Sequence, residues 1–210
     1  MFNTIIRLDI FFETLSFFIS LAIALIAFAG GRKTGSRSLT LLSIGFLLMA
    51  LAMLLRILLT SFAFSLPMGR PFMLRGLFFF VLQAQEVVYS AMRVTAYAVF
   101  LYLYASYSIR DLQSMPILIA VAPSLIYNPF LEAVSVTILT IVLAHLAMIR
   151  KHIQNPYSFY GFVFLTLSHV LFLALPLNIL LYFAAQFFQL MALLLFLTAV
   201  LSVFGDGKGL

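Results

Sequence analysis

Residues 178–204, NILLYFAAQFFQLMALLLFLTAVLSVF, decide the class of fold because they include no charged residue. About 20 residues of α-helix cross the hydrocarbon core of a bilayer, and this stretch is longer than that. The rest of the chain has a similar character, since hydrophobic residues make up 65% of the 210 positions and charged residues only 9%. Soluble domains average roughly 45–50% apolar and about 25% charged residues. The sequence therefore predicts an all-α polytopic integral membrane protein in contact with the lipid bilayer.

The predicted spans occupy nearly the whole chain. They cover residues 8–30, 38–64, 77–109, 114–127, 130–150, 156–175 and 178–204. The pair Gly30-Gly31 is expected to end the first span, and Asn155-Pro156 is expected to open the sixth with a cap followed by proline at the first helical position. No polar stretch is left that is long enough for a soluble domain, so residues 1–210 are predicted to form a single transmembrane domain.

The distribution of basic residues bears on the fourth predicted span, which is short and contains Pro123. Cytoplasmic loops are enriched in Lys and Arg. If all seven spans cross and the N-terminus is outside, the cytoplasmic segments hold Arg32, Lys33, Arg37, Arg110, Arg150, Lys151 and Lys208, and the outer segments hold Arg7, Arg70 and Arg75. Omitting the fourth crossing weakens this bias. The sequence therefore favours a seven-transmembrane-helix bundle in the plasma membrane, with the N-terminus outside and the C-terminus cytoplasmic.

Charge and motifs argue against several classes of function. The formal net charge of +6 comes mainly from residues at helix ends, where Lys and Arg set orientation, so no nucleic-acid partner is expected. The chain has no cysteine, which excludes disulfides, thiolate metal sites and cysteine nucleophiles. The motifs HExxH and GxSxG, a Walker loop and paired aspartates within a span are all missing. We therefore expect no enzyme, and assign no catalytic residue, metal site or cofactor.

Polar residues within the predicted spans indicate where function would lie, because each ionisable side chain in a bilayer costs at least a few kcal/mol. The third span has Glu86, Ser90, Arg93 and Tyr97 on one face, at spacings of four and three residues. Depths counted at 1.5 Å per residue bring polar groups of several spans into the outer half of the membrane, with Arg93 lying deeper. The predicted binding residues are Glu13, Arg56, Glu86, Arg93, His169, Gln186 and Gln189.

Two functions and one structural interpretation fit these residues. The first function is the binding or translocation of a solute, an ion or a proton. The second is that of a non-catalytic membrane subunit of a larger complex, such as a respiratory one, which binds haem b or quinone or anchors partner subunits. His145 and His169 lie within spans and are the candidate haem ligands for that case. In the structural interpretation, Arg56 pairs with Glu13 or Glu86 and the polar residues only join helices. Homo-oligomers and larger assemblies are both compatible with the sequence.

Overall fold

The computed structural model describes residues 2–65, 72–108, 129–149, 156–178 and 180–205, with side chains for residues 8–62, 80–105, 129–148, 156–178 and 180–203. These residues form six α-helices: α1 (Phe2–Thr34), α2 (Arg37–Ser65), α3 (Phe72–Ser108), α4 (Pro129–Ile149), α5 (Pro156–Leu173) and α6 (Leu180–Gly205). A short 3-10 helix, Leu175–Leu177, lies between α5 and α6. The predicted fourth span, residues 114–127, lies outside the described residues.

All six helices are long and apolar enough to span a membrane. Each turns large apolar side chains outward and has polar side chains on its buried face. On α1, for example, Phe11, Phe18 and Leu25 are exposed, whereas Glu13 and Ser16 are buried. Apolar groups on the outside and polar groups in the interior are what a lipid environment requires. The chain is therefore a multi-pass membrane protein.

The first helix continues beyond Gly30-Gly31, so the prediction that this pair ends it is wrong. Packing explains the continuation, because α2 approaches so closely that a Cβ atom on Gly31 would lie 2.9 Å from the hydroxyl of Thr40. Tertiary contact of this kind outweighs the low helix propensity of glycine. The helix ends just before Gly35, whose φ of +68° lies in the left-handed region that glycine adopts without strain.

The six helices form a ring in chain order, in which each packs against its sequence neighbours and α6 packs against α1. Their contacts also give the helix directions. α1 and α6 are parallel, because Tyr182 contacts Asp9 and Gln186 contacts Glu13. Three neighbouring pairs are antiparallel. For α1 and α2 the contacts are Ala24–Ser43 and Glu13–Arg56. For α2 and α3 they are Phe46–Phe100 and Thr60–Gln85, and for α5 and α6 they are Phe162–Phe196 and Phe172–Tyr182.

The direction of α4 follows from two connections to α5. Glu132 lies near the start of α4 and contacts His169 near the end of α5, while the end of α4 leads to the start of α5 through residues 150–155. These two helices are therefore antiparallel. α3 is also antiparallel to α5, because Tyr97 contacts His169 and Tyr104 contacts Phe162. It follows that α3 and α4 run in the same direction.

One end of the bundle, here called the polar end, thus holds the N-termini of α1, α3, α4 and α6 and the C-termini of α2 and α5. The opposite half contains an aromatic core in which the rings of Phe46, Phe100, Phe162 and Phe196 pack at centroid distances of 4.8–5.8 Å. All four side chains are buried. This core fixes the positions of α2, α3, α5 and α6 along the bundle axis relative to one another (their heights), and so positions the polar residues of the other half.

Candidate functional site

Ten buried or half-buried side chains near the polar end form one continuous chain of hydrogen bonds, here called the charge network. All six described helices contribute to it. Its members are Asp9 and Glu13 of α1, Arg56 of α2, Tyr89, Arg93 and Tyr97 of α3, Glu132 of α4, His169 of α5, and Tyr182 and Gln186 of α6. Charged groups buried among apolar helices are costly unless they are paired, and this network supplies the pairing.

Arg56 is the centre of one half of the network. Its Nη1 donates to Oε1 of Glu13 at 2.6 Å, and its Nη2 donates to the hydroxyl of Tyr182 at 3.1 Å. The same Nη2 lies 3.7 Å from Oδ2 of Asp9, and the Tyr182 hydroxyl donates to the other oxygen, Oδ1, of that carboxylate. The amide nitrogen of Gln186 donates to Asp9 at 3.3 Å and to Glu13 at 3.4 Å. One guanidinium group therefore faces two carboxylates, with a tyrosine and a glutamine between them.

Arg93 is the centre of the other half and is 2% exposed. Its guanidinium group forms a salt bridge with Oε1 of Glu132. The second oxygen of Glu132 lies 2.5 Å from Nδ1 of His169, and Nε2 of the same histidine lies 2.7 Å from the hydroxyl of Tyr97. The two oxygens of the carboxylate and the two nitrogens of the imidazole are thus all engaged. This arrangement connects α3, α4 and α5 through fully or nearly fully buried groups.

Tyr89 joins the two halves. Its hydroxyl donates to Glu13 at 3.3 Å and accepts from Nη1 of Arg93 at 3.3 Å. Its ring also contacts both guanidinium groups, whose central carbons lie 4.8 Å (Arg56) and 4.7 Å (Arg93) from the ring centroid. These distances are within the range of cation–π attraction. The two arginines are consequently linked through one aromatic side chain that is 1% exposed.

Helix periodicity explains how the sequence builds this arrangement. Within each helix the members follow one another at four-residue spacing: Asp9 and Glu13, then Tyr89, Arg93 and Tyr97, and finally Tyr182 and Gln186. Residues four apart lie on the same face, one turn above the other. Side chains on a helix point toward its N-terminus, which brings the long guanidinium arm of Arg93 up to the level of Tyr89. Although its Cα lies deeper, Arg93 therefore joins the residues near the polar end.

The structure brings together five of the seven predicted binding residues: Glu13, Arg56, Arg93, His169 and Gln186. Glu86 accepts a hydrogen bond from Ser90 at 3.4 Å, and within the described residues it forms no salt bridge. Gln189 is completely buried, and neither atom of its amide has a hydrogen-bond partner in the part of the chain that the structure describes. These last two residues belong to the same half of the bundle but not to the charge network.

Five members of the network are missing from the predicted set: Asp9, Tyr89, Tyr97, Glu132 and Tyr182. The four-residue spacing from Asp9 to Glu13 and from Tyr182 to Gln186 is a signal that was available in the sequence. Glu132 has no such partner four residues away among the network members. Its place in the first turn of a helix predicts a carboxylate at the surface. In the structure it is 4% exposed, since α3 supplies a guanidinium group at that height.

The two candidate haem ligands do not meet. His145 lies thirteen positions after Glu132 on α4, and thus about 20 Å along the helix axis from the level of His169. Both ring nitrogens of His169 are already engaged, by Glu132 and Tyr97. In addition, the described residues contain no group of three or more His, Asp or Glu side chains placed to hold a metal ion. The geometry therefore does not support a haem held by these two histidines.

Comparison of the chain with protein-family models, with curated proteins and with solved structures found no match. Its residues and their geometry are therefore the basis for assigning a function.

Proposed function

We propose that this protein is a membrane-embedded bundle whose charge network binds or translocates a solute, an ion or a proton. The observation that carries the proposal is the continuity of the network, which runs from Asp9 to Tyr97 through all six described helices. An ion pair that only holds two helices together needs one partner for each charge. Here every charged group of the network is connected onward to another helix.

The chemical nature of the connecting groups favours a proton or an ion. A tyrosine hydroxyl and a neutral imidazole can each donate and accept hydrogen bonds. Tyr89 connects Glu13 to Arg93, and His169 connects Glu132 to Tyr97. Donor and acceptor roles can therefore be exchanged between His169 and Tyr97 without moving a helix, whereas Arg56 and Arg93 only donate. Ionisable residues inside a membrane bundle commonly mark an ion pathway or a proton relay, and this arrangement has the composition of one.

The proposal is tested with the purified full-length chain in liposomes that contain a pH-sensitive dye. We expect an imposed potential to produce a proton flux above that of empty liposomes, and we expect Glu132→Gln to reduce the flux at least tenfold. Thr166→Val is the matched control, because Thr166 precedes His169 by one turn and its hydroxyl donates only to the backbone of Phe162 among the described residues. The proposal is wrong if the wild-type chain shows neither flux nor a pH- or salt-dependent melting temperature.

We also propose that the chain crosses the cell membrane seven times with its N-terminus outside. Support comes from the helix directions, because α3 ends at the opposite end of the bundle from the polar end, where α4 begins. The connection between α4 and α5, residues 150–155, is too short to cross the membrane, since six extended residues reach about 20 Å and the hydrocarbon core is about 30 Å thick. The return crossing is therefore assigned to residues 109–128, which include the predicted fourth span. The outside orientation of the polar end rests on its smaller number of basic residues.

Cysteine labelling tests this topology directly, because the natural chain contains no cysteine. Single-cysteine variants Gln113→Cys and Asn128→Cys bracket the assigned crossing. In intact cells, a membrane-impermeant maleimide should label Asn128→Cys and should label Gln113→Cys only after permeabilisation. Ser36→Cys and Asn178→Cys, in the connections that precede α2 and α6, are the inside and outside references. Labelling of both test positions from the same side would exclude the seventh crossing.

A further inference from the structure

The half of the charge network around Arg56 contains one negative charge too many. The carboxylates of Asp9 and Glu13 both lie within 4 Å of this single guanidinium group. In the other half, by contrast, Arg93 is matched by Glu132 when His169 is neutral. A buried charge without a partner costs several kcal/mol. A positive charge near Glu13 would remove this imbalance.

Four buried oxygen atoms on α1 and α6 have no hydrogen-bond partner among the described residues. They are Oε2 of Glu13, Oγ of Ser16, Oε1 of Gln186 and Oε1 of Gln189. Their side chains are between 0% and 1% exposed, so bulk water does not reach them. Most buried polar side-chain atoms have a partner. Four unpartnered oxygens in one region of the interior are therefore an indication of a ligand.

The parallel packing of α1 and α6 brings the residues that carry these oxygens to neighbouring positions along the bundle axis. Glu13 contacts Gln186 through the hydrogen bond of 3.4 Å. Ser16 follows Glu13 by three positions, and Gln189 follows Gln186 by three positions, so each lies on the same face one turn further along its helix. Because the two helices run in the same direction, Ser16 and Gln189 come to the same height between them.

We propose that these four oxygens bind one small monovalent cation, of the size and hardness of Na⁺, between α1 and α6. This inference deepens the proposed function and rests on it. Carboxylate, hydroxyl and amide oxygens are the ligands that hard cations prefer. The Oε1 atom of Glu13 is occupied by Arg56 and Tyr89, which leaves Oε2 to face the cation. With the cation present, the charges of Asp9, Glu13, Arg56 and the ion sum to zero.

Other occupants fit these atoms less well. A proton on Glu13 neutralises the excess charge but joins only two of the four oxygens. A water molecule satisfies hydrogen bonds but leaves the excess charge in place. A divalent ion reverses the imbalance, because it brings two positive charges to a group of residues with one negative charge in excess. A monovalent cation both balances the charge and uses all four atoms.

The purified chain in detergent, kept free of Na⁺ in choline chloride, provides the test. Replacing choline chloride stepwise by NaCl at constant ionic strength should raise the melting temperature. At Na⁺ concentrations well above the Kd, the rise should be proportional to the logarithm of the concentration. Ser16→Ala and Gln189→Leu should each lose this shift. Ser20→Ala is the matched control, because Ser20 lies on the same face of α1 but its hydroxyl contacts the sulfur of Met53 at 3.9 Å. This control should keep the full shift.

Several results would overturn the cation site. One is a melting temperature that does not respond to Na⁺, and another is a response that persists in both Ser16→Ala and Gln189→Leu. Stabilisation by acid with no effect of Na⁺ would assign the positive charge to a proton instead. If Ser16→Ala does not fold, Gln189→Leu alone decides. Absence of any Na⁺ effect in the wild-type chain, together with a flux that depends on Glu132, would refute the cation site and leave the proposed function intact.

Discussion

Replacing Glu132 by leucine is expected to destabilise the bundle by about 3–5 kcal/mol, the usual cost of removing one partner of a buried ion pair. The change leaves the guanidinium group of Arg93 buried at 2% exposure, with the Tyr89 hydroxyl at 3.3 Å as a neutral partner. Arginine stays charged at any accessible pH, so it cannot relieve the imbalance by losing a proton. The substitution of Glu132 also leaves Nδ1 of His169 without its carboxylate partner.

A double-mutant cycle distinguishes the electrostatic cost of leaving Arg93 without Glu132 from the loss of packing at position 132. Replacing both members of a buried ion pair by apolar residues of similar volume is often neutral or stabilising. The double variant Arg93→Met/Glu132→Leu should therefore be more stable than Glu132→Leu alone, by about 2 kcal/mol or more. Ser168→Ala is the comparison for a neutral contact, because Ser168 donates to the backbone oxygen of Ala185 at 2.8 Å. Such hydrogen bonds in membrane bundles average about 0.6 kcal/mol.

The free energy of unfolding of the four proteins of the cycle and of Ser168→Ala is measured in mixed detergent micelles by circular dichroism. All of them must first show the helix content of the wild-type chain at low denaturant. The electrostatic reasoning is refuted if the costs of Glu132→Leu and Arg93→Met simply add in the double variant. A cost for Glu132→Leu as small as that of Ser168→Ala would refute it equally, because the ion pair would then contribute no more than a neutral hydrogen bond.

Three further changes test other parts of the structure. Gly45→Ala should destabilise the bundle by about 1–3 kcal/mol, because a Cβ atom there would lie 2.2 Å from the ring of Phe100, and thermal melting measures this. Tyr89→Phe should lower proton flux in liposomes and destabilise the bundle by about 1–3 kcal/mol, because it removes the hydroxyl that joins the two arginine-centred halves; unchanged flux would show that the halves act separately. Purified protein incubated with haem should show no Soret band that is lost on substitution of His169 or His145, because the two histidines lie about 20 Å apart along the bundle axis.

Hydropathy was sufficient to predict an all-helical membrane protein, because a charge-free stretch such as that of α6 is stable only in lipid or a large apolar core. It was less reliable for helix ends. The first helix continues past Gly30-Gly31 because contact with Thr40 of α2 compensates for the glycines, and such a contact cannot be read from local sequence. Seven crossings and an outside N-terminus stay predictions, since they depend partly on residues 114–127.

The candidate site was only partly predictable, for a physical reason. Periodicity identifies which residues share a face of one helix, and this was enough to associate Glu86, Arg93 and Tyr97 with the interior. It does not give the height at which two helices meet. The pairing of Arg93 with Glu132 depends on that height, as does the choice of Glu13 and Asp9, rather than Glu86, as partners of Arg56. Burial of Glu132 at the start of α4 likewise follows from the neighbouring helix and not from its own sequence.

The aromatic core supplies those heights, which makes it part of the site although it carries no charge. Phe100 lies seven positions after Arg93 on α3, and Phe162 lies seven positions before His169 on α5. The rings of these two phenylalanines contact each other at 5.8 Å. This contact lies about one turn from Tyr97 along α3 and two turns from His169 along α5, close to the point where those two residues meet. A slip of one residue moves a side chain by 1.5 Å and rotates it by about 100° around the helix axis, which would break the contact of 2.7 Å between them. The apolar half of the bundle therefore sets the geometry of the polar half, and a change in packing near Phe100 should alter the function of the charge network without touching any of its members.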